Sequence, residues 1–299
     1  MKKSRWGRLR DVAIELAVLV VLSACGQSDA RTEGCEVVQP PTPLPDGLEE
    51  TSGVAVSRRY PGVIWSHNDS GSEPELVAFR RDEGILARVP VGRALANDWE
   101  DLALASCAAG TCLYVGDTGD GAARRDRIVI YRFPEPDPTS GEVVEAEFLP
   151  ARYPGGPRDT EAIFVLPQGE IYLVTKGRAE SVELYRYPAV IPHGEPATLE
   201  LVRTLTRGAQ PLEEQVTGAS TSLSGEWVAI RTYKRLRIWR TPDLLGSGSP
   251  AVTVDLQQLG EVQGEAVALL DNGGVVLTSE GGFPGARGTL AVLQCWLES

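Results

Sequence analysis

Polar residues followed by short alternating runs of small and apolar residues recur five times along the chain: TSGVAVS from Thr51, WEDLALA from Trp99, TEAIFVL from Thr160, VTGASTS from Val216 and GEAVALL from Gly264. Alternation of this kind marks a β-strand. Aligned on the polar residue, the anchors are Ser52, Glu100, Glu161, Thr217 and Glu265, spaced 48, 61, 56 and 48 residues apart. A second strand follows each anchor, in VIWSHND, LYVGDT, YLVTKG, VAIRTY and VVLTSEG, and its polar end arrives at a near-constant distance. A third carries the pattern apolar, any, apolar, aromatic, Arg and ends at Arg80, Arg132, Arg186 and Arg240, with a degenerate fifth copy, LAVLQ, ending at Gln294. Fourth strands stand at ILARVPV, VEAEFLP, LELVRTL and VTVDLQQ, and the fifth unit runs out of chain before its own.

Four short antiparallel strands, repeated, predict the blades of a β-propeller, because one small sheet cannot bury both faces alone and radial stacking does that. Even the widest anchor gap, 61 residues, is too short for two units, so the expected fold is all-β with five blades, starting near residues 51, 99, 160, 216 and 264. The missing fourth strand of the last blade is expected from CEVVQ at Cys35, laid against LAVLQC. Residues 35–299 then form a single domain.

The cysteines support this closure. Cys107 and Cys112 flank the turn AAGT, which predicts a stapled hairpin. Cys35 and Cys295 remain, one near each end of the domain, and are expected to clasp the ring. Upstream, MKKSRWGRLR is basic and Leu16 to Ala24 is apolar, the build of a secretory signal and too short to span a bilayer that needs roughly 20 apolar residues. Leu22, Ser23, Ala24 and Cys25 resemble the lipobox of bacterial lipoproteins. That resemblance implies a signal over residues 1–24, lipid on Cys25, a flexible tether over 25–34 and a membrane-anchored protein of the cell envelope. Loss of residues 1–24 takes the formal charge from −12 to −15, which argues against a nucleic-acid partner.

In a propeller the innermost strands line a central channel, so the five anchors converge at its axis. Three are glutamates. Two carboxylates ~5 Å apart at an effective dielectric of ~20 repel by roughly 3 kcal/mol, and three together take up protons or bind a cation. With Ser52 and Thr217 adding neutral oxygen and no His, Cys or Met in the set, the expected occupant is a hard cation, calcium in preference to magnesium. The competing reading has the same residues capping inner strands through backbone amides.

The order Ser, Glu, Glu, Thr, Glu at these starts resembles the calcium site of the calcium-activated nucleotidase (apyrase) family of five-bladed propellers. The stretch from SGVAVS through NDSG to DWEDLAL resembles the bacterial SdiA-regulated (YjiK-like) family, also five-bladed. Both resemblances imply calcium at the centre. The nucleotidases' arginine-containing substrate motif has no counterpart at NDSGSEPE.

The polar tips of the second strands, His67, Asn68, Asp69, Asp117, Asp120, Lys176, Arg231 and Glu280, are expected around the same channel mouth. There Lys176 and Arg231 either hold an anionic ligand beside the metal or pair with Asp117 or Glu280, and Trp99 is either a stacking surface or an inter-blade packing residue. NDSG and GDTGDG lack the full spacing of a calcium loop and read as turns. The two histidines, His67 and His193, exclude a three-histidine zinc site, and neither GxSxG nor a Walker phosphate loop is present. Three readings remain: an envelope protein that binds a small anionic or polar ligand or a protein partner at the mouth, a calcium-dependent phosphohydrolase or esterase on the same face with the metal as Lewis acid and Asp69 or Asp117 as base, and a structural propeller.

Overall fold

The structure, a computed structural model, describes residues 31–298 apart from 33, 70, 72, 190–194 and 284–285. The signal, the tether before residue 31, Cys25 and His193 lie outside the described residues. Five small antiparallel sheets form the ring of a five-bladed propeller. The inner strands are Thr51–Val56, Trp99–Cys107, Thr160–Val165, Val216–Thr221 and Gln263–Leu269, one per blade and numbered here blades 1 to 5. In blades 1 to 4 the second, third and fourth strands follow outward near the positions read from the repeat, except that VEAEFLP is divided: Glu147–Arg152 is the fourth strand of blade 2, while Val144–Glu145 pairs parallel with Gly84–Gly92 of blade 1. Among the described residues no helix is long and apolar enough to cross a membrane.

Blade 5 takes its fourth strand from the start of the domain. Cys35–Pro43 runs antiparallel to Thr289–Cys295, with Cys35 paired to Cys295 in register. The disulfide between them, with Cα atoms 4.0 Å apart, ties residues 260 apart in sequence and closes the ring. The second disulfide, Cys107–Cys112, staples the hairpin between Trp99–Cys107 and Gly110–Asp117.

The core is divided into five apolar clusters, each lying between two adjacent blades. Strand alternation sends successive side chains to opposite faces, so an inner strand serves two interfaces. In blade 2, Leu102 and Leu104 pack toward blade 1 while Ala103 and Ala105 pack toward blade 3. The inner strands crowd near the axis, which explains their small residues. A Cβ on Gly53 would lie 2.7 Å from the backbone nitrogen of Leu102, and one on Gly218 would lie 2.8 Å from the carbonyl oxygen of Glu265.

One buried acid binds three blades together. Asp101 is fully buried, and its Oδ2 accepts hydrogen bonds from the amides of Ile163 in blade 3 (2.9 Å) and Ala219 in blade 4 (3.0 Å). Its Oδ1 accepts from the amide of Leu102 (2.8 Å). Burial, set against these amide bonds, pushes its pKa up to about 8.

Candidate metal centre at the channel mouth

Every inner strand carries a register shift at its anchor: between Thr51 and Gly53, Trp99 and Asp101, Thr160 and Ala162, Val216 and Gly218, and Gly264 and Val267. A bulge leaves one residue unpaired and re-aims its side chain. Ser52, Glu100, Glu161 and Glu265 are turned in this way into one cavity of about 240 Å³ at the mouth of the channel. Thr217 does not line it and is buried, with no partner for its Oγ1 among the described residues.

The cavity walls hold seven carboxyl groups, those of Asp69, Asp98, Glu100, Asp159, Glu161, Glu265 and Glu280, against two cations, Lys176 and Arg178. Burial raises the pKa of Glu100 well above the usual carboxylate range, and the charges of Glu161, Asp69 and Asp98 raise it further. Burial and Glu280 do the same to Glu265. Glu161 is pushed up to about 7 by burial, although Lys176 opposes the shift. Glu280 also reaches about 7 through burial and the fields of Asp69 and Glu50.

Partners divide the ring. The ammonium of Lys176 lies 2.7 Å from Glu161 and 5.7 Å from the ring centre of Tyr233. Gln263 Nε2 donates to both Glu265 (2.8 Å) and Glu280 (2.7 Å), while Ser52 donates its hydroxyl to the carbonyl of Glu100 (2.5 Å). One cluster of these acids lies beside blades 1 and 2. There Asp69, Asp98 and Glu100 each offer a carboxylate oxygen, all within 4.8 Å of one another. The donor set, all oxygen and anionic, suits a hard cation.

A supporting layer holds this trio. Asp117 is fully buried and bonds the guanidinium of Arg125 at 2.8 Å. It also accepts from the side chain of Asn97 (3.0 Å) and the amide of Asp98 (3.2 Å), so its role is to position Asp98. Asp120, also buried, accepts from the amide of Arg125 (2.6 Å), and its own amide donates to Asp159 (3.0 Å). Gly119 lies under the carboxylates: a Cβ there would stand 1.9 Å from Glu100 Oε1 and 2.5 Å from Asp98 Oδ2.

Six residues expected at the mouth do not line the cavity: Asp117 and Asp120 stand in the supporting layer, and His67, Asn68, Trp99 and Arg231 sit elsewhere. His67 is fully buried edge-on to Trp99, with ring centres 5.5 Å apart, and burial lowers its pKa to about 4, so it is neutral. Trp99 is itself buried between blades, where its indole N–H donates to the carbonyl of Leu95 (2.9 Å); it is a packing residue and presents no stacking surface. Arg231 is fully buried in an ion pair with Glu261 and donates to the carbonyls of Ala266 and Thr278, each at 3.0 Å. Asn68 bonds the carbonyl of Gly47 at 3.0 Å.

Register explains the sorting. The residues just beyond the pairs Thr51↔Asn68, Trp99↔Asp117, Thr160↔Thr175, Val216↔Thr232 and Gly264↔Ser279 are Asp69, Thr118, Lys176, Tyr233 and Glu280. All but Thr118 line the cavity. His67 and Arg231 lie two residues deeper in their strands, about 6.6 Å below that level. Five charged or polar lining residues were missed in the sequence; Asp98, Asp159 and Gln263 share a signal, each standing two positions before a glutamate anchor, while Arg178 and Tyr233 carry none.

No family model matches the chain, and no curated protein does. Solved structures with similar folds include the PQQ-bound aldose sugar dehydrogenase of Streptomyces coelicolor, at 12% identity with a TM-score of 0.51, covering 87% of this chain and 97% of that one. A glucose dehydrogenase is 13% identical over 86% of this chain and 99% of that one, with a TM-score of 0.49. A gluconolactonase from Xanthomonas campestris is 12% identical over 83% of this chain and 74% of that one, with a TM-score of 0.45. At these identities the likeness is one of fold.

Proposed function

We propose that the channel mouth holds one calcium ion between Asp69, Asp98 and Glu100, and that this ion presents a binding site for a small anionic or polar ligand, or a protein partner, on a lipid-anchored protein of the cell envelope. The observation that carries the reading is the trio of carboxylate oxygens within 4.8 Å, set in a cavity whose acids outnumber its cations. A bound calcium would supply charge neutralisation and open coordination positions for an oxygen-bearing ligand. Lys176 is engaged by Glu161, which leaves Arg178, half-exposed at the rim with Asp159 at 3.7 Å, as the cation available to a ligand's anionic group. Lipidation at Cys25 rests on the lipobox resemblance, and calcium at the centre draws further support from the resemblance to the nucleotidase and SdiA-regulated families.

A hydrolytic reading of the same face draws on Glu280, whose pKa near 7 suits a general base. Asp117 does not serve that role, being buried against Arg125. The binding reading is tested by thermal melting of protein stripped with EDTA and then given calcium. At 100 times Kd the ion should add about 2.7 kcal/mol of stability. An unchanged melt at millimolar calcium refutes the site. Turnover of nucleotides or aryl esters that disappears with EDTA and in Glu280→Gln would select the hydrolase instead.

A further inference from the structure

The channel has a second mouth. At the end opposite the acidic cavity, the C-terminal halves of the inner strands of blades 1, 2, 4 and 5 and the turns that follow three of them line a half-open space of about 320 Å³. Its walls are mainly apolar, with Val54, Leu102, Leu104 and Leu270 among them, and Arg58 stands in the lining. The volume falls at the small end of known ligand sites, which run from about 300 to 1,000 Å³.

Arg58 is unlike the arginines of the blade edges. Arg80, Arg132, Arg186 and Arg240, which end the third strands, are each paired with a glutamate. Arg58 makes no hydrogen bond or ion pair with any described residue. Burial lowers its pKa, although Asp271 and Glu135 lie near enough to oppose the shift. Neither acid approaches it within ion-pair distance. Asp271 accepts the amide of Ser224 (2.9 Å), and Glu135 accepts the hydroxyl of Ser57 and the indole N–H of Trp65 (2.9 Å). A guanidinium cannot shed its charge, and its donors form a planar fork that matches one carboxylate bidentately. Held beside apolar walls without an internal partner, it favours an anion that also brings apolar surface. A dianionic phosphate would set more charge against Asp271 and Glu135 than a single guanidinium offsets.

We propose that this lower cavity binds a small monocarboxylate with an apolar body, its carboxylate on Arg58 and its body against Leu102, Leu104 and Leu270. The site uses no residue of the acidic mouth and stands or falls independently of the calcium reading. The test is calorimetric titration of octanoate into the full chain, with and without calcium. Saturable one-to-one binding is expected in both conditions. Arg58→Met should weaken it about tenfold or more, as the loss of a charged hydrogen bond does, with Arg58→Lys intermediate and octanol no tighter on wild type than on Arg58→Met. Asp271→Asn should tighten octanoate binding, because an opposing charge is removed, and this sign does not arise from a merely structural Asp271. Absence of saturable binding at millimolar octanoate, or equal affinity in wild type and Arg58→Met, overturns the proposal. The latter is also the result if Arg58 turns inward onto Glu135.

Discussion

The bonds of Asp101 make a prediction with a definite order. Its Oδ2 receives two amides from the inner strands of blades 3 and 4, and its Oδ1 receives one from its own blade. Asp101→Ala strands three buried N–H donors, each costing about 1–3 kcal/mol, so a loss of about 3 kcal/mol or more is expected. That is a large share of the roughly 5–15 kcal/mol typical of a domain. Asp101→Asn can keep its carbonyl oxygen under the two inter-blade amides and turn its Nδ2 toward Leu102, losing one bond for about 1–3 kcal/mol. Urea denaturation of both variants in EDTA, followed by fluorescence, should rank wild type above Asn and Asn above Ala. An alanine variant within about 0.5 kcal/mol of wild type, or one more stable than the asparagine variant, would refute the account of Asp101 as a tie between blades.

Other expectations follow from the same structure. Replacing Cys35 and Cys295 by alanine should cost roughly 5 kcal/mol on chain-entropy grounds, and opening the short Cys107–Cys112 loop only about 2 kcal/mol, both read from denaturation midpoints. In EDTA, the raised pKa values of Glu161 and Glu280, about 7 each, mean that the folded protein holds protons its unfolded chain releases. Their contribution is full below the unfolded value of about 4.3 and is lost as pH rises through 7, so the metal-free melting temperature should fall across that window and calcium should flatten the fall. Arg231→Met should cost about 3–5 kcal/mol by leaving Glu261 buried without its partner, and adding Glu261→Gln should recover part of it. Gly119→Ala should lower calcium affinity at least tenfold, with little change in the denaturation midpoint in EDTA, because its Cβ would meet the carboxylates of Glu100 and Asp98 and not the core.

The repeat was readable because each blade must meet the same packing requirement, and the anchors, the third-strand arginines and the two cysteine pairs all follow from it. The side chains at the mouth were harder to sort. In a strand, polarity alone does not distinguish Asp69 from His67, two residues deeper, and a one-residue step separates Lys176 at the mouth from Thr175 beneath it. Only the pairing register supplies that distinction. Arg231 looked like a surface cation because nothing local shows that Glu261, 30 residues on, buries with it. Asp98 was hidden beside Trp99 and Glu100, since only the bulge at Glu100 reveals which of three consecutive polar or aromatic residues face the cavity.

Calorimetric titration of calcium into metal-free protein tests the central claim most directly. One ion per chain should bind to wild type, with affinity lost in Asp98→Asn and Glu100→Gln and magnesium binding far more weakly. Heat absent in wild type, or binding undiminished in both variants, would contradict the proposed centre.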